Sequence, residues 1–413
     1  MTNFSKIIIS LKKFLNPKIL PFLGLGISVQ APINLIGGSL KLWTRESGLD
    51  LTTVGVFAAV TMPYSLKFLW APYIDRLNLP WAKNMGCKRA WCLLFQLAIL
   101  GGLWFISFLN PVKDVWPLFF GCLLIAFCGA SQALTVDALK IDILNDTELT
   151  DGTTVKEFGG RIGYLGATAG MLALAHYLSW NTAYKISTIM AMIGIVSLMF
   201  TKEPISKPEP INFNTAIKMP FMDLWNRQNF PLLCLFIVLY KLCNGMLGSM
   251  AWPFYHDVGF TDMDIMRVSS IFGTIMTALG ICCGGYILHR FKFRPLLFTL
   301  GCIEIFTSFA FAGLAVAGPS VPLFVLVIIF DNIIGGIGSA VWVVFISRMC
   351  SRSFSATQFG FLDALTMIPL TLLGMLSGYL AQTLGWPEFF ALTGFLMIPA
   401  LCIIRFKKNF FNT

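Results

Sequence analysis

Charge is scarce in this sequence. Of 413 residues only 12% are Asp, Glu, Lys or Arg, and 56% are hydrophobic, whereas a soluble domain carries roughly a quarter charged residues. That shortage excludes a sizeable water-exposed domain. Histidine is scarcer still: His176, His256 and His289 each lie near the end of an apolar segment, in no zinc-binding spacing. The 11 Cys are scattered, several of them inside apolar runs (Cys122, Cys128, Cys234, Cys282, Cys283), and read as small buried hydrophobes. No metal and no cofactor are expected. Gly-rich stretches lack the Lys-Ser or Lys-Thr of a phosphate-binding loop, so nothing in the sequence points to direct use of ATP. The formal charge of +10 does not mark a nucleic-acid binder, because Lys and Arg fall in short clusters between apolar segments rather than along one face.

Apolar sequence is abundant, and it comes in blocks of one length. A hydrocarbon core of about 30 Å needs roughly 20 apolar residues per helix. Runs of that kind lie at 19–43, 52–74, 90–109, 116–139, 157–178 and 182–200, then at 230–255, 265–288, 295–316, 321–346, 356–384 and 386–405. The pattern predicts an all-α polytopic membrane protein of twelve transmembrane helices, not a soluble enzyme. Residues 1–200 form the expected first six-helix half and 230–413 the second. Residues 201–229, where Lys202, Glu203, Pro204, Lys207, Pro208, Glu209 and Pro210 break the apolar pattern, read as a cytoplasmic linker. Lys6, Lys12, Lys13 and Lys18 precede the first helix without a small-residue cleavage site, so that helix is expected to be an uncleaved membrane signal.

Positive loops stay on the cytoplasmic side during insertion. Most of the 30 Lys and Arg residues fall on the side of both termini, while Lys41, Arg45, Lys113 and Arg267 fall opposite. Both termini are therefore expected to be cytoplasmic. The halves also echo each other: Glu46-Ser47-Gly48 follows the first helix as Asp257-Val258-Gly259 follows the seventh. Asp75, Arg76, Lys88 and Arg89 follow the second as His289, Arg290, Lys292 and Arg294 follow the eighth. Glu157-Phe158-Gly159 is expected to open the fifth helix as Gln358-Phe359-Gly360 opens the eleventh. Two pseudo-symmetric halves with a basic second loop resemble the plan of the major facilitator superfamily, in which the substrate site lies between halves near the midplane.

Longer strings narrow the resemblance. Gly26, Ser28, Pro32, Leu35, Gly37, Gly38, Leu40 and Trp43 in the first helix are similar to AmpG-type muropeptide permeases. So is the run Pro63, Tyr64, Leu66 to Pro72, Asp75, Arg76 in and after the second. Tyr240-Lys241-Leu242, the stretch Phe354 to Phe359, and Gln132, Asp137, Arg161 and Asn332 also resemble family positions. The resemblance spans nearly the whole chain. It implies secondary active, proton-driven import of anhydro-muropeptides, disaccharide peptides of cell-wall turnover, across the bacterial inner membrane. Two acids of the family pattern are missing, replaced by Ala133 and Asn244. Conversely, Glu304 stands where the family pattern has Gln, and Asp363 where it has a small residue.

A charge at the bilayer centre costs at least about 2.5–3.5 kcal/mol, so it normally faces a partner or a cavity. Helix rise of about 1.5 Å per residue puts Lys67 roughly 13 Å from Arg76, and Lys241 roughly 16 Å along its helix. Tyr64 with Lys67, and Lys241 with Asn244, share helix faces. These residues, with Gln132, Tyr240 and Asn332, are the candidate substrate contacts, the lysines binding carboxylates. The alternative is that each lysine pairs with a buried acid purely for structure. Glu304, Asp331 and Asp363 are candidate proton carriers, since burial favours the neutral form of a carboxyl; ion pairing with Lys241 or Lys67 is the competing reading. Asp137 is expected to pair with Arg161, as a gate or as a permanent bridge, and Asp75 and Arg76 are expected to serve the loop at the membrane edge. Expected partners are a small anionic solute, protons and the bilayer, with the chain acting as a monomer. Importers of another anionic peptide, sugar or acyl-CoA-like solute, a membrane-embedded transferase, and a non-transporting receptor remain alternatives.

Overall fold

The computed structural model describes residues 16–49, 57–77, 79, 85–203, 213–227 and 229–406. Lys6, Lys12, Lys13, Pro204, Lys207, Pro208, Glu209 and Pro210, on which the expected signal and linker partly rest, lie outside those residues. In chain order the helices are α1 (Pro21–Glu46), α2 (Pro63–Leu66), α3 (Ala71–Arg76), α4 (Cys87–Ile106), α5 (Val115–Ile143), α6 (Asp146–Leu165), α7 (Met171–Tyr177), α8 (Trp180–Met199) and α9 (Phe213–Trp225). They continue as α10 (Phe230–Val258), α11 (Ile265–Leu288), α12 (Phe293–Ala317), α13 (Val321–Arg348), α14 (Ser355–Leu384) and α15 (Trp386–Phe406). Among the described residues there is no strand, and nine helices are long and apolar enough to cross a membrane. Large apolar side chains such as Trp104, Phe105, Phe306 and Leu326 face outward, as lipid-facing surface requires.

The apolar runs are helical, with three departures from expectation. The second run is broken into short pieces: 3₁₀ turns at Ala58–Thr61 and Lys67–Leu69 precede α2 and α3. Its two prolines are the cause. Pro63 and Pro72 carry no N–H and crowd the carbonyl four residues back, so the chain tightens to i+3 bonding just before each. Second, α6 starts at Asp146, eleven residues before the apolar run, because the polar stretch from Asp146 to Thr154 is itself helical and mostly buried. Glu157-Phe158-Gly159 therefore lies deep inside α6 rather than opening it. Third, the expected linker contains a helix, α9.

The chain forms two compact units, Met1–Phe221 with Ser347–Phe361, and Met222–Ile346 with Leu362–Thr413. In the first, α1 and α6 cross at backbone contact. A Cβ added at Gly159 or Gly163 would run into the carbonyls of Leu23 or Ile27, so the Gly-x-x-x-Gly spacing makes the approach possible. Farther along, α1 carries a π turn at Leu35–Ser39 and another, Gly166–Gly170, joins α6 to α7, and each disturbs the regular i+4 ladder. Lipid offers no water to compensate, and side chains add to the backbone bonds there: Tyr184 donates to the Leu35 carbonyl at 2.9 Å, which also takes the Leu40 N–H, and Ser39 donates to the Ala167 carbonyl at 2.7 Å. The second unit is built around aromatic packing of Phe254, Tyr255, Phe311, Phe324 and Phe390.

One pair of contacts repeats between the units in sequence register. Trp180 Nε1 donates to Glu46 Oε2 at 2.7 Å, and Trp386 Nε1 to Asp257 Oδ2 at 3.1 Å. Three residues before each acid and four after each Trp, the rings of Trp43 and Tyr184 meet at 4.9 Å, tilted, and those of Phe254 and Phe390 at 4.7 Å, edge to face. The same latch thus ties α1 to α8 and α10 to α15, a duplication at the level of contacts. Tyr184→Phe keeps the ring contact but removes one of the two donors to the Leu35 carbonyl, leaving it the Leu40 N–H alone. Equilibrium unfolding in detergent should show a loss of about 1 kcal/mol.

Candidate functional site

At one end of the first unit, charged side chains close around the first turn of α14. The Asp75 carboxylate accepts from the backbone N–H of Ala356 (3.0 Å) and Thr357 (2.7 Å) and from Thr357 Oγ1 (2.6 Å). A helix begins with unpaired N–H groups and a positive dipole end, and Asp75 answers both. The Lys88 ammonium lies 3.5 Å from Asp75 Oδ1, donates to Ser355 Oγ at 2.6 Å and pairs with Asp142. The Arg76 guanidinium covers the Phe354 ring at 4.7 Å. Glu203 accepts from the N–H groups of Lys88 (3.2 Å) and Arg89 (2.8 Å), capping α4. Burial pushes its carboxyl above the ordinary Glu range, and those two N–H bonds pull it part of the way back. Sequence reading reached Asp75 and Arg76 but treated Lys88 only as a loop charge and missed Asp142, Ser355 and Glu203.

Asp137 does not pair as expected. Its carboxylate is taken by Lys140 (3.0 Å) on its own helix and by Lys156 (2.8 Å) on α6. The displaced start of α6 explains the difference: Arg161 lies five residues, about 7.5 Å, farther along the axis than Lys156. Lys140 is wholly buried. Its spacing of three from Asp137 was the available signal.

Deeper in the first unit, two candidate substrate contacts meet on α5. The Tyr64 hydroxyl packs over Gly129 and is buried without a hydrogen-bond partner among the described residues. Gln132, one turn on, donates to Ser28 Oγ at 2.8 Å. Trp70 from the same family string donates to Ser131 Oγ at 2.8 Å, fixing the broken second segment to α5. Lys67 begins the 3₁₀ turn Lys67–Leu69 and is half-buried.

In the second unit Tyr240 and Asn332 are engaged with the protein itself. Tyr240 donates to the Leu297 carbonyl at 3.1 Å and stacks on Trp342 at 5.2 Å. Asn332 accepts from Thr277 at 2.8 Å and donates to the Ile328 carbonyl at 2.9 Å. The Lys241 ammonium lies 5.1 Å from the centre of the Trp342 ring, a cation–π contact that sequence reading missed. Asn244 donates to Glu304 Oε1 at 3.1 Å, while Glu304 Oε2 is buried with no hydrogen-bond partner. Asp331 sits on α13 next to Asn332, and Asp363 on α14, both half-buried.

The Asp137 triad yields a discriminating test. Asp137→Asn takes the carboxylate away from the wholly buried Lys140, and one of its partners from Lys156, and should cost about 3–5 kcal/mol. Arg161→Gln should cost less than about 1 kcal/mol, the scale of a partly exposed charge. Chemical denaturation in detergent compares the two.

Residues 22–320 match the Major Facilitator Superfamily. The anhydromuropeptide permease of Escherichia coli K12 is 29% identical over 397 residues, which cover 95% of this chain and 80% of that protein. An uncharacterized Haemophilus influenzae protein is 30% identical over 395 residues, 92% of each chain. Among solved structures, the Major Facilitator Superfamily transporter FucP in the outward conformation aligns with a TM-score of 0.71 at 12% identity, over 95% of this chain and 99% of that one. The human organic anion transporter MFSD10 aligns at 0.69 and 15%, over 94% and 99%. At such identities the structural likeness is one of fold. With its all-helical architecture, nine apolar spans and a family match over most of its length, this chain belongs to the Major Facilitator Superfamily and is a multi-pass membrane transporter.

Proposed function

We propose that this chain is a secondary active transporter of the bacterial inner membrane that imports anhydro-muropeptides together with protons by alternating access. In this reading it works as a monomer of twelve transmembrane helices with both termini cytoplasmic. The near full-length likeness to the Escherichia coli anhydromuropeptide permease supports the substrate class. Lys67 and Lys241 bind the solute's carboxylates, which an ammonium on a flexible stem can follow as the ligand moves. Tyr64 and Gln132 supply neutral hydrogen bonds. The unpartnered Tyr64 hydroxyl supports such a role, because a buried hydroxyl with no partner is costly unless something else meets it.

The observation that carries proton coupling is the Asn244 to Glu304 hydrogen bond. In the AmpG-type pattern the acid stands at position 244 and the amide at 304; here the two are exchanged. Because the side chains touch, the exchange leaves one carboxyl and one amide facing each other. The missing acid has moved across to α12. Of the three acids proposed as proton carriers, Glu304 is thus the principal one, with Asp331 and Asp363 secondary. Ionised, the Glu304 carboxylate carries a desolvation cost that Asn244 offsets at one oxygen only; neutral, far less, so protonation changes which packing of its surroundings is favoured.

Two experiments test this reading. Energised membrane vesicles should accumulate labelled anhydro-muropeptide, lose that accumulation with an uncoupler, and prefer it over free peptides, sugars and CoA esters. Conversion of the ligand would point to an enzyme, and binding without accumulation to a receptor. Glu304→Gln should abolish accumulation while leaving exchange of solute across the membrane partly active. The double variant Asn244→Asp with Glu304→Gln should restore accumulation at least in part, since it rebuilds the pair in the opposite sense. Undiminished accumulation by Glu304→Gln would sink the coupling assignment.

A further inference from the structure

Behind α1, the first unit holds a side chain that none of the proposed transport steps uses. Gln96 on α4 is completely buried, and among the described residues neither its amide nitrogen nor its amide oxygen has a hydrogen-bond partner. A primary amide offers two donors and one strong acceptor, and in a membrane helix bundle no lipid group can meet them. A buried amide left wholly unanswered in one arrangement of the protein is expected to be answered in another.

The neighbouring residues identify its partner. Gly194 on α8 faces both α1 and α4: a Cβ built there would lie 2.5 Å from Ser28 Cβ and 2.6 Å from Gln96 Nε2. The Ser28 and Gln96 side chains therefore crowd the same point, and the missing Gly194 side chain leaves the room they occupy. Ser28 is already engaged. Its hydroxyl donates to the Leu25 carbonyl at 3.0 Å and accepts from Gln132 Nε2 at 2.8 Å. Three helices thus contribute two amides to one hydroxyl, and only the amide on α5 is served.

We infer that Gln96 is a positioning residue for Gln132, taking over the Ser28 hydroxyl when the Gln132 amide turns to the transported solute. This rests on the proposed reading of Gln132 as a solute contact. Without a substitute, releasing Gln132 strips Ser28 of a donor inside an apolar bundle. With Gln96 beside it, one N–H replaces another and the number of hydrogen bonds in the protein is conserved, so the Gln132 bond to the solute is gained rather than merely traded. Gly194 is part of the device, because a side chain there would separate the two groups.

Uptake kinetics in vesicles test the inference with Gln96→Met, which keeps length and apolar packing, and with Gln96→Asn, which keeps the amide but shortens its reach. Both should raise KM by about tenfold, the scale of one net hydrogen bond, at near-normal maximal rate, and Gln96→Met should not lower thermal stability, since it removes two unanswered polar atoms. In a Ser28→Ala background Gln132 has nothing to be released from, and Gln96→Met should then have no further effect on KM. A KM unchanged by Gln96→Met, or an increase that persists undiminished with Ser28→Ala, overturns the inference. Gln132→Leu separates the two layers. If it leaves KM untouched, the reading of Gln132 as a solute contact falls and this inference with it. If it raises KM while both Gln96 variants are silent, only the positioning role falls.

Discussion

The constraint on which this structure depends is that a bilayer interior supplies no hydrogen-bond partners. Each polar group carried into the membrane has to be answered by another part of the chain. Where π turns disturb the regular backbone bonding, Tyr184 and Ser39 bring added donors to the Leu35 and Ala167 carbonyls. Carboxylates follow the same rule. Asp75 is answered by a helix start, Asp137 by two lysines, and Glu304 by an amide on one oxygen only.

That constraint also explains which parts of the fold were legible in the sequence. A helix in lipid satisfies its own backbone and needs only apolar side chains, so α4, α5, α8, α10, α12 and α13 begin and end within a few residues of their apolar runs. The reading failed where a helix is buried by protein rather than by lipid. The first three turns of α6 are polar, from Asp146 to Thr154, and most of their residues are nonetheless buried. Apolar periodicity cannot find such a helix, nor can it tell that Lys140 beside it and Lys156 within it are buried. The misplaced start of α6 then carried through to the Asp137 pairing.

Candidate site residues were legible as types and depths, not as partners. Intramembrane charge singled out Lys241 and Glu304, and departures from the family pattern singled out Asn244. That Asn244 and Glu304 compensate each other needed coordinates, because sixty positions separate them and a hydrogen bond between two helices depends on their rotation. Tyr240 and Asn332 show the converse. Both fit a binding role by residue type, yet their polar atoms are already engaged with Leu297, Thr277 and Ile328.

The two units share a framework and differ in chemistry. The latch of Glu46 with Trp180 recurs as Asp257 with Trp386, and the ring pair Trp43 with Tyr184 as Phe254 with Phe390. Around their interiors the resemblance ends. The first unit presents neutral groups, the Tyr64 hydroxyl and the Gln132, Ser28 and Gln96 cluster, and Ala133 removes the acid that the family pattern would put beside them. The second presents the Glu304 carboxyl and the Lys241 ammonium. A neutral amide or hydroxyl recognises a solute in the same way at any physiological pH, whereas a carboxyl also registers whether a proton is bound. In the proposed transport cycle, with Lys67 as the one charged contact of the first unit, hydrogen-bond recognition is therefore concentrated in the first half and proton exchange in the second. Loss of the acid at position 133 and transfer of the acid from 244 to 304 are two parts of that division.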